Sequence, residues 1–203
     1  MHQVKRLFYT ALLSPLIFSA SVLPSKAAIT FSGLSGANSA PLGIYTEGGF
    51  TLTPTSSTWY EAHVYGNPVP SIYDGPISSP LPGTLQISYS QGAFAFSGLA
   101  YSSNNGNTSY SIQGLRGNSV VYQISGMFTN LFGFSNFTAQ SGISLVAIDK
   151  LSIQISPQAP TTSFNIDNIA VAAIPEPRSI PLTLVALALC LLSNHRTSRR
   201  PVG

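Results

Sequence analysis

Leu151-Ser152-Ile153-Gln154-Ile155 alternates apolar and polar side chains without a break, and Phe164-Asn165-Ile166-Asp167 repeats the pattern a few residues later. A period of two places every apolar side chain on one face of an extended strand. The central part of the chain keeps no helical period over three turns. These two segments therefore predict antiparallel strands with one face buried against a core.

Further short segments rich in β-branched and aromatic residues recur between turn-forming residues. Together they predict nine strands, at 29–32, 49–53, 59–65, 84–89, 93–99, 108–113, 120–127, 144–155 and 163–171. Arg116-Gly117-Asn118 separates two of these strands and predicts a hairpin turn, because glycine and asparagine adopt positive φ readily. Many short strands with such turns are typical of an all-β fold, a sandwich or a jelly roll.

Five prolines fall between positions 67 and 83: Pro68, Pro70, Pro76, Pro80 and Pro82. Proline lacks the amide hydrogen that a central strand needs, so this stretch is predicted to be a long irregular loop. Tyr73-Asp74-Gly75 lies within it. Two interpretations stay open, a binding surface carried by the loop and a stiff surface crossover.

The N-terminus has the features of a secretory signal peptide. Lys5 and Arg6 precede a mostly apolar segment at 7–23, and Ser25-Lys26-Ala27-Ala28 provides small residues for cleavage after Ala27. The alternative is an uncleaved N-terminal anchor. We expect residues 1–27 to be removed from an exported protein.

The C-terminus carries a stiff spacer, an apolar segment and a basic tail. Pro175 and Pro177 fix φ and remove two amide donors, and the segment 180–192 is apolar on all sides. Three arginines follow, Arg196, Arg199 and Arg200. Cations next to an apolar helix stay on the cytoplasmic side, so we predict a transmembrane helix, although the run is shorter than the ~20 residues of a full span. The alternative is a buried helix of the domain.

The order of these parts resembles the PEP-CTERM sorting signal of exported bacterial proteins. The resemblance implies that an exosortase recognises Pro175-Glu176-Pro177, that the segment 180–192 anchors the chain transiently, and that the three arginines stop its transfer. It also implies export across the inner membrane and a final place at the cell surface or outside the cell, often beside exopolysaccharide. The chain then divides into a signal peptide (1–27), an exported domain (28–173) and a sorting signal (174–203).

The exported region is similar to domains that often precede this signal. The similarity rests on Gly48-Gly49-Phe50-Thr51-Leu52 followed by Trp59, and on the hairpin between 109 and 121. The segment 164–171 resembles the closing strand of carbohydrate-binding-type jelly rolls. The similarity implies a jelly-roll β-sandwich and no particular activity, because that architecture hosts many functions.

Charge and cysteine content exclude several classes of function for the exported region. Residues 28–173 hold five acidic and two basic residues, a net charge of about −3, so no basic face is available for a nucleic acid. Cys190, in the apolar segment, is the only cysteine. The domain therefore has neither a disulfide nor a thiol nucleophile.

Three sets of residues are candidates for a site in the exported region. Trp59 and Tyr101, with Tyr60 and Tyr110, form either a sugar-stacking platform or part of the core. Glu61 and His63 are two apart and face the same way on a strand, so they are candidates for a metal site or for an acid and base pair. A zinc site, however, normally has three or four such ligands. Asp167 and Asn168 either bind calcium or satisfy backbone amides where the last strand turns.

The sequence predicts a non-enzymatic exported protein that is sorted by an exosortase and associated with exopolysaccharide. The expected partners are the exosortase, the membrane and exopolysaccharide. No cofactor is expected, apart from the calcium ion considered at Asp167 and Asn168. One alternative is a carbohydrate-binding module with an aromatic site. Another is a secreted glycoside hydrolase, whose paired carboxylates would include Glu61 or Asp167.

Overall fold

Twelve strands lie in the residues that the computed structural model describes, which are 25–56, 59–76, 80–130 and 132–174. In chain order they are β1 (Ser25–Ile29), β2 (Tyr45–Glu47), β3 (Phe50–Ser56), β4 (Trp59–Ala62), β5 (Ser71–Asp74), β6 (Gly83–Tyr89), β7 (Phe94–Asn104), β8 (Gly106–Arg116), β9 (Ser119–Asn130), β10 (Ser135–Thr138), β11 (Lys150–Pro157) and β12 (Ser163–Ala173). A short 3-10 helix, Ile143–Leu145, precedes β11.

The strands form two antiparallel six-stranded sheets. Sheet A has the order β10-β7-β12-β5-β4, and β1 pairs with the second half of β12 on the same edge as β5. Sheet B has the order β2-β3-β6-β11-β8-β9. From β5 to β12 the chain changes sheet at every connection except the one from β8 to β9. The predicted all-β sandwich is confirmed at this level of detail.

The alternating segments bury their apolar faces between the sheets, as the sequence predicts. Leu151, Ile153 and Ile155 of β11 are each 0% exposed, and Phe164 and Ile166 of β12 are equally buried. The polar residues between the β11 apolar positions are half-buried or exposed. The period of two therefore identifies the core face of both strands correctly.

An aromatic cluster joins the two sheets at the centre of the core. The ring of Phe128 in β9 stacks on Tyr101 and Tyr110, with centroids 4.2 Å and 4.1 Å away. Phe164 lies 5.5 Å from the same ring. Stacked aromatic pairs stabilise a core beyond their buried area, so Phe128 is a central packing residue.

The hairpin predicted at Arg116-Gly117-Asn118 connects β8 to β9. Arg116 pairs with Ser119 across it, and Gly117 adopts φ +60°. The carboxylate of Asp149 accepts the amide hydrogen of Gly117 at 2.6 Å, which fixes the turn from outside.

The prediction of an irregular loop between 67 and 83 is wrong in its middle part. Ser71–Asp74 forms strand β5, which lies between β12 and β4 and is buried along its whole length. The prolines lie before it, at Pro68 and Pro70, or after Gly75, so the four paired residues keep their amide hydrogens.

Other predicted boundaries also differ from the structure. The strand predicted at 144–155 begins only at Lys150, because the 3-10 helix occupies its first residues. The strand predicted at 29–32 lies at Ser25–Ile29 instead. The short strands β2 and β10, like β5, were not predicted, since three or four residues carry too little periodicity.

Strand β1 includes Ser25, Lys26 and Ala27, which the sequence assigns to the signal peptide. It pairs with the end of β12, with Ser25 opposite Ala173 and Ile29 opposite Ile169. The rest of the predicted signal peptide, the Pro175-Glu176-Pro177 motif, the segment 180–192 and the arginines Arg196, Arg199 and Arg200 lie outside the described residues. Within the described residues, no helix is both long enough and apolar enough to cross a bilayer.

Candidate functional site

The outer face of sheet A carries a row of polar side chains in register. Asn165 of β12 pairs with Tyr73 of β5 on one side and with Ser102 of β7 on the other. Because the neighbouring Phe164 and Ile166 face the core, Asn165 points to the opposite face. Residues directly opposite in a sheet share a face, so these three side chains lie side by side there.

A cleft of about 240 Å³ opens on this face. We call it the outer-face cleft. Its lining side chains are amides, hydroxyls and small apolar groups, none of them charged: Asn38, Ser39, Ala62, Val64, Tyr65, Tyr73, Asn104, Ser163 and Asn165. They come from β4, β5, β7 and β12, from the segment between β1 and β2, and from the segment between β4 and β5.

The hydroxyl of Tyr65 fixes one wall of the cleft. It lies 3.0 Å from the Ser102 hydroxyl and donates to Asn104 Oδ1 at 3.2 Å. It also accepts the amide hydrogen of Gly133 at 3.0 Å, and the ring packs against Phe134 with centroids 5.2 Å apart. Tyr65 thus connects its own segment, and the segment that carries Gly133 and Phe134, to strand β7.

Asn165, one of the lining residues, holds a buried hydrogen-bond acceptor without a partner among the described residues. The residue is only 3% exposed, and its Oδ1 has no hydrogen-bond partner within the described part of the chain. The neighbouring Asn104 amide, by contrast, donates to Ser163 Oγ at 2.8 Å. A buried polar atom without a partner costs about 1–3 kcal/mol. A ligand or water that donates to Asn165 Oδ1 would recover this energy.

Asp167 lies two residues further along β12 and is 0% exposed. Its two carboxylate oxygens accept the amide hydrogens of Asn67 and Asn168, each at 2.7 Å. Burial raises the pKa of Asp167 to about 6, against the lowering effect of these two hydrogen bonds, and the negative charge of Glu47 raises it further. The Asn168 side chain donates to the carbonyl of Asn67. Asp167 therefore satisfies backbone amides, at a bulge within β12 rather than at a turn, which is one of the two interpretations left open by the sequence.

Glu61 and His63 do come together, as their spacing predicts. His63 Nε2 lies 2.8 Å from Glu61 Oε2, which also accepts the amide hydrogen of Gly36 at 2.9 Å. The amide of His63 donates to Asn38 Oδ1, so the pair supports one wall of the cleft. Among the described residues no group of three or more potential metal ligands occurs.

The two acids named for a hydrolase lie on different faces of sheet A. Glu61 pairs with Ile72 of β5, which in turn pairs with Ile166 of β12, and both isoleucines face the core. Asp167 is the next residue and therefore points to the outer face. The structure does not bring this pair of carboxylates to one site.

Trp59 and Tyr101, two of the four aromatics named for either a platform or the core, pack in the core. Trp59 is 1% exposed and belongs to the core, so its ring offers no face to a sugar. Tyr101 stacks on Phe128 and Phe164 on the core side of sheet A. The core interpretation of both residues is the one that fits their packing.

Tyr65 and Tyr73 line the cleft, and neither is among the four aromatics named for a platform. Tyr73 stacks on Tyr60, which is one of those four, with ring centroids 5.3 Å apart. Of the cleft residues, the sequence singled out Tyr73 as part of a candidate surface but missed Tyr65, Asn104 and Asn165. The only signal for Asn165 was its polar place in an apolar alternation.

Comparison with known proteins leaves the family open. No family model and no curated protein matches the chain. Among solved structures, the CBM29_1 carbohydrate-binding module from Piromyces equi is 12% identical with a TM-score of 0.45, over 76% of this chain and 93% of that one. The family 32 carbohydrate-binding module of C. perfringens NanJ, in complex with galactose, is 16% identical with a TM-score of 0.41, over 73% of this chain and 100% of that one.

A third similar structure is the enzymatically active domain of bacteriophage CBA120 tailspike protein 4. It is 16% identical with a TM-score of 0.40, and the match covers 62% of this chain but only 20% of the tailspike chain. At these low identities and TM-scores, none of the three likenesses decides what this chain does.

Proposed function

We propose that this chain is an exported, non-enzymatic protein of the cell surface or extracellular matrix that binds carbohydrate through the outer-face cleft. The observation that carries the proposal is the buried acceptor Asn165 Oδ1, set in a cleft lined by amides, hydroxyls and tyrosines. Sugar hydroxyls both donate and accept hydrogen bonds, as do the amide and hydroxyl side chains around this cleft. The flanks of Val64 and Tyr65 supply apolar surface for the C–H face of a sugar ring.

We further infer that the sandwich is of jelly-roll type. The strand orders β10-β7-β12-β5 and β6-β11-β8-β9 support this inference, because consecutive strands alternate between the sheets around one central hairpin. This is the arrangement of two interlocked Greek keys.

The export and sorting part of the proposal rests on the sequence alone. It is supported by the apolar N-terminal segment and by the order of Pro175-Glu176-Pro177, apolar segment and arginines. An exosortase would cut the chain near Pro175-Glu176-Pro177, and the apolar segment would hold the chain in the membrane until the cut. The mass of the mature protein from its native host tests this. An end near Pro177 supports processing there, and an intact C-terminus contradicts it.

A glycan array probed with the full-length chain, in a detergent without sugar head groups, tests carbohydrate binding. The expected result is a defined set of glycan signals that Asn104→Ala and Asn165→Ala both weaken. Asn118→Ala, an exposed change in the β8–β9 turn, is the matched control and should leave the signals unchanged. An array without signals above background would contradict the proposed function.

A further inference from the structure

The outer-face cleft is free of charged side chains, although sugars in extracellular matrices are often acidic. All nine lining residues are uncharged. The lysines and arginine within the described ranges lie elsewhere: Lys26 in β1, Arg116 at the β8–β9 turn and Lys150 at the start of β11. The cleft therefore has no cation with which to pair a carboxylate or a sulfate.

One acidic group, by contrast, lies next to the cleft. Asp167 is two residues from Asn165 on the same face of β12. An anion that entered would lose hydration without gaining an opposite charge. It would also approach the carboxylate of Asp167, which is of its own sign.

Asn165 selects for a donor. Its orphaned Oδ1 accepts a hydrogen bond, which a sugar hydroxyl provides. An ionised carboxylate has no hydrogen to donate, so it leaves the buried acceptor unsatisfied. The chemistry of this one atom and the charge of the surroundings thus favour the same class of ligand.

The size of the cleft limits how much of a glycan it encloses. Its volume of about 240 Å³ is below the ~300–1,000 Å³ that is usual for pockets of larger ligands. This is room for one sugar ring, with the rest of a chain outside.

Building on the proposed carbohydrate-binding function, we infer that the outer-face cleft takes one neutral sugar ring, with a hydroxyl that donates to Asn165 Oδ1, and discriminates against uronates. A protein that bound acidic glycans would still be a carbohydrate-binding protein. Selectivity for neutral sugars can therefore be wrong while carbohydrate binding is right.

Calorimetric titration of the full-length chain with matched oligosaccharides tests the inference. The probes are gluco-, manno- and galacto-configured oligomers and the corresponding oligouronates, which differ only in a carboxylate at C6. We expect at least one neutral oligomer to bind about tenfold or more tightly than its uronate partner. Its affinity should change less than about twofold between about 0.05 M and about 0.5 M salt, because no ion pair is formed.

Two variants connect this selectivity to the cleft. Asn165→Ala should weaken the neutral ligand by about fivefold or more through loss of the acceptor. Val64→Lys changes a lining residue that is 79% exposed, so the fold should tolerate it. The added cation should strengthen uronate binding at low salt by about fivefold and leave the neutral ligand within about twofold. Asn118→Ala again serves as the control, and thermal melting checks that each variant is folded.

The outcomes separate the two levels of the proposal. Uronate binding as tight as neutral binding, and weakened by salt, would overturn the neutral-ring inference while the carbohydrate-binding function stands. Binding unaffected by both Asn165→Ala and Val64→Lys would overturn the cleft as the site. Absence of binding to every probe in both series, together with a blank glycan array, would overturn the function as well.

Discussion

The amide of Asn67 donates a 2.7 Å hydrogen bond to the buried carboxylate of Asp167, which lies a hundred positions further along the chain. The bond attaches the segment between β4 and β5 to the outer face of β12. That segment also carries Tyr65, whose hydroxyl reaches Ser102 and Asn104 of β7. The wall of the outer-face cleft is thus held at two points on sheet A.

The buried carboxyl of Asp167 predicts an unusual dependence of stability on pH. Its pKa rises from 3.8 to about 6 on folding, so between these values the folded protein binds more protons than the unfolded chain. The contribution of Asp167 to the free energy of unfolding is therefore largest below pH 4 and falls as the pH rises toward 6. The loss amounts to roughly 3 kcal/mol at about 1.36 kcal/mol per pKa unit.

Asp167→Asn isolates this contribution, because asparagine does not titrate. Urea unfolding of both proteins at several pH values gives the difference in free energy of unfolding, wild type minus variant. We expect this difference to decrease from pH 4 to pH 7. A difference that is constant or that increases with pH would show that Asp167 does not titrate in this way.

Phe128→Ala should destabilise the fold strongly. The ring is 1% exposed and stacks on Tyr101 and Tyr110, so its removal leaves a cavity between the sheets. We expect a loss of about 3–5 kcal/mol in the free energy of unfolding, measured by urea titration. Phe132→Ala, at a ring that is 70% exposed, is the matched control and should change stability by less than about 0.5 kcal/mol. Similar effects of the two changes would contradict the packing described for Phe128.

Gly98→Ala should be poorly tolerated because of a close backbone approach. A Cβ at Gly98 would meet the carbonyl oxygen of Phe137 on the neighbouring strand β10. We expect a loss of about 1–3 kcal/mol, since one backbone must move away from the other. Gly142→Ala, where a Cβ meets nothing within 4 Å, should be nearly neutral in the same thermal or urea unfolding experiment. Equal stability of the two variants would argue against the close pairing of β7 and β10.

Tyr65→Phe removes the hydroxyl that links the cleft wall to β7. It removes one hydrogen bond to Asn104 Oδ1 and the hydroxyl that accepts the amide hydrogen of Gly133. We expect a loss of about 1 kcal/mol in stability and faster amide hydrogen exchange at Gly133. Tyr60→Phe is the control, because its hydroxyl makes neither contact. Unchanged exchange at Gly133 in Tyr65→Phe would contradict this role.

The core of the fold could be predicted because its signal is local. Each apolar residue of β11 is separated from the next by one polar residue, and the hairpin at Gly117 needs only a turn sequence with positive φ. The same local signal is missing for strand β5. Its four residues lie between prolines, and only pairing with β12 and β4, distant in sequence, shows that they form a central strand.

The outer-face cleft was beyond prediction for a related reason. Asn38, Tyr65, Asn104 and Asn165 come from four separate parts of the chain, and only the register of sheet A brings them together. Trp59 and Tyr101 were candidates for sugar binding because they are aromatic. The type of a side chain does not show which face of its strand is covered by a second sheet. For Trp59 the pairing with β5 decides this, and it places the ring inside.

Strand β12 has the cleft beside its first residues, whereas its last residue, Ala173, lies opposite Ser25 of β1. Eleven residues of extended strand span roughly 30 Å at about 3.3 Å per residue. Ser25 and Ala173 therefore lie at one end of β12, and the cleft lies at the other. An attachment made next to either residue would leave the cleft end of the strand open to its surroundings.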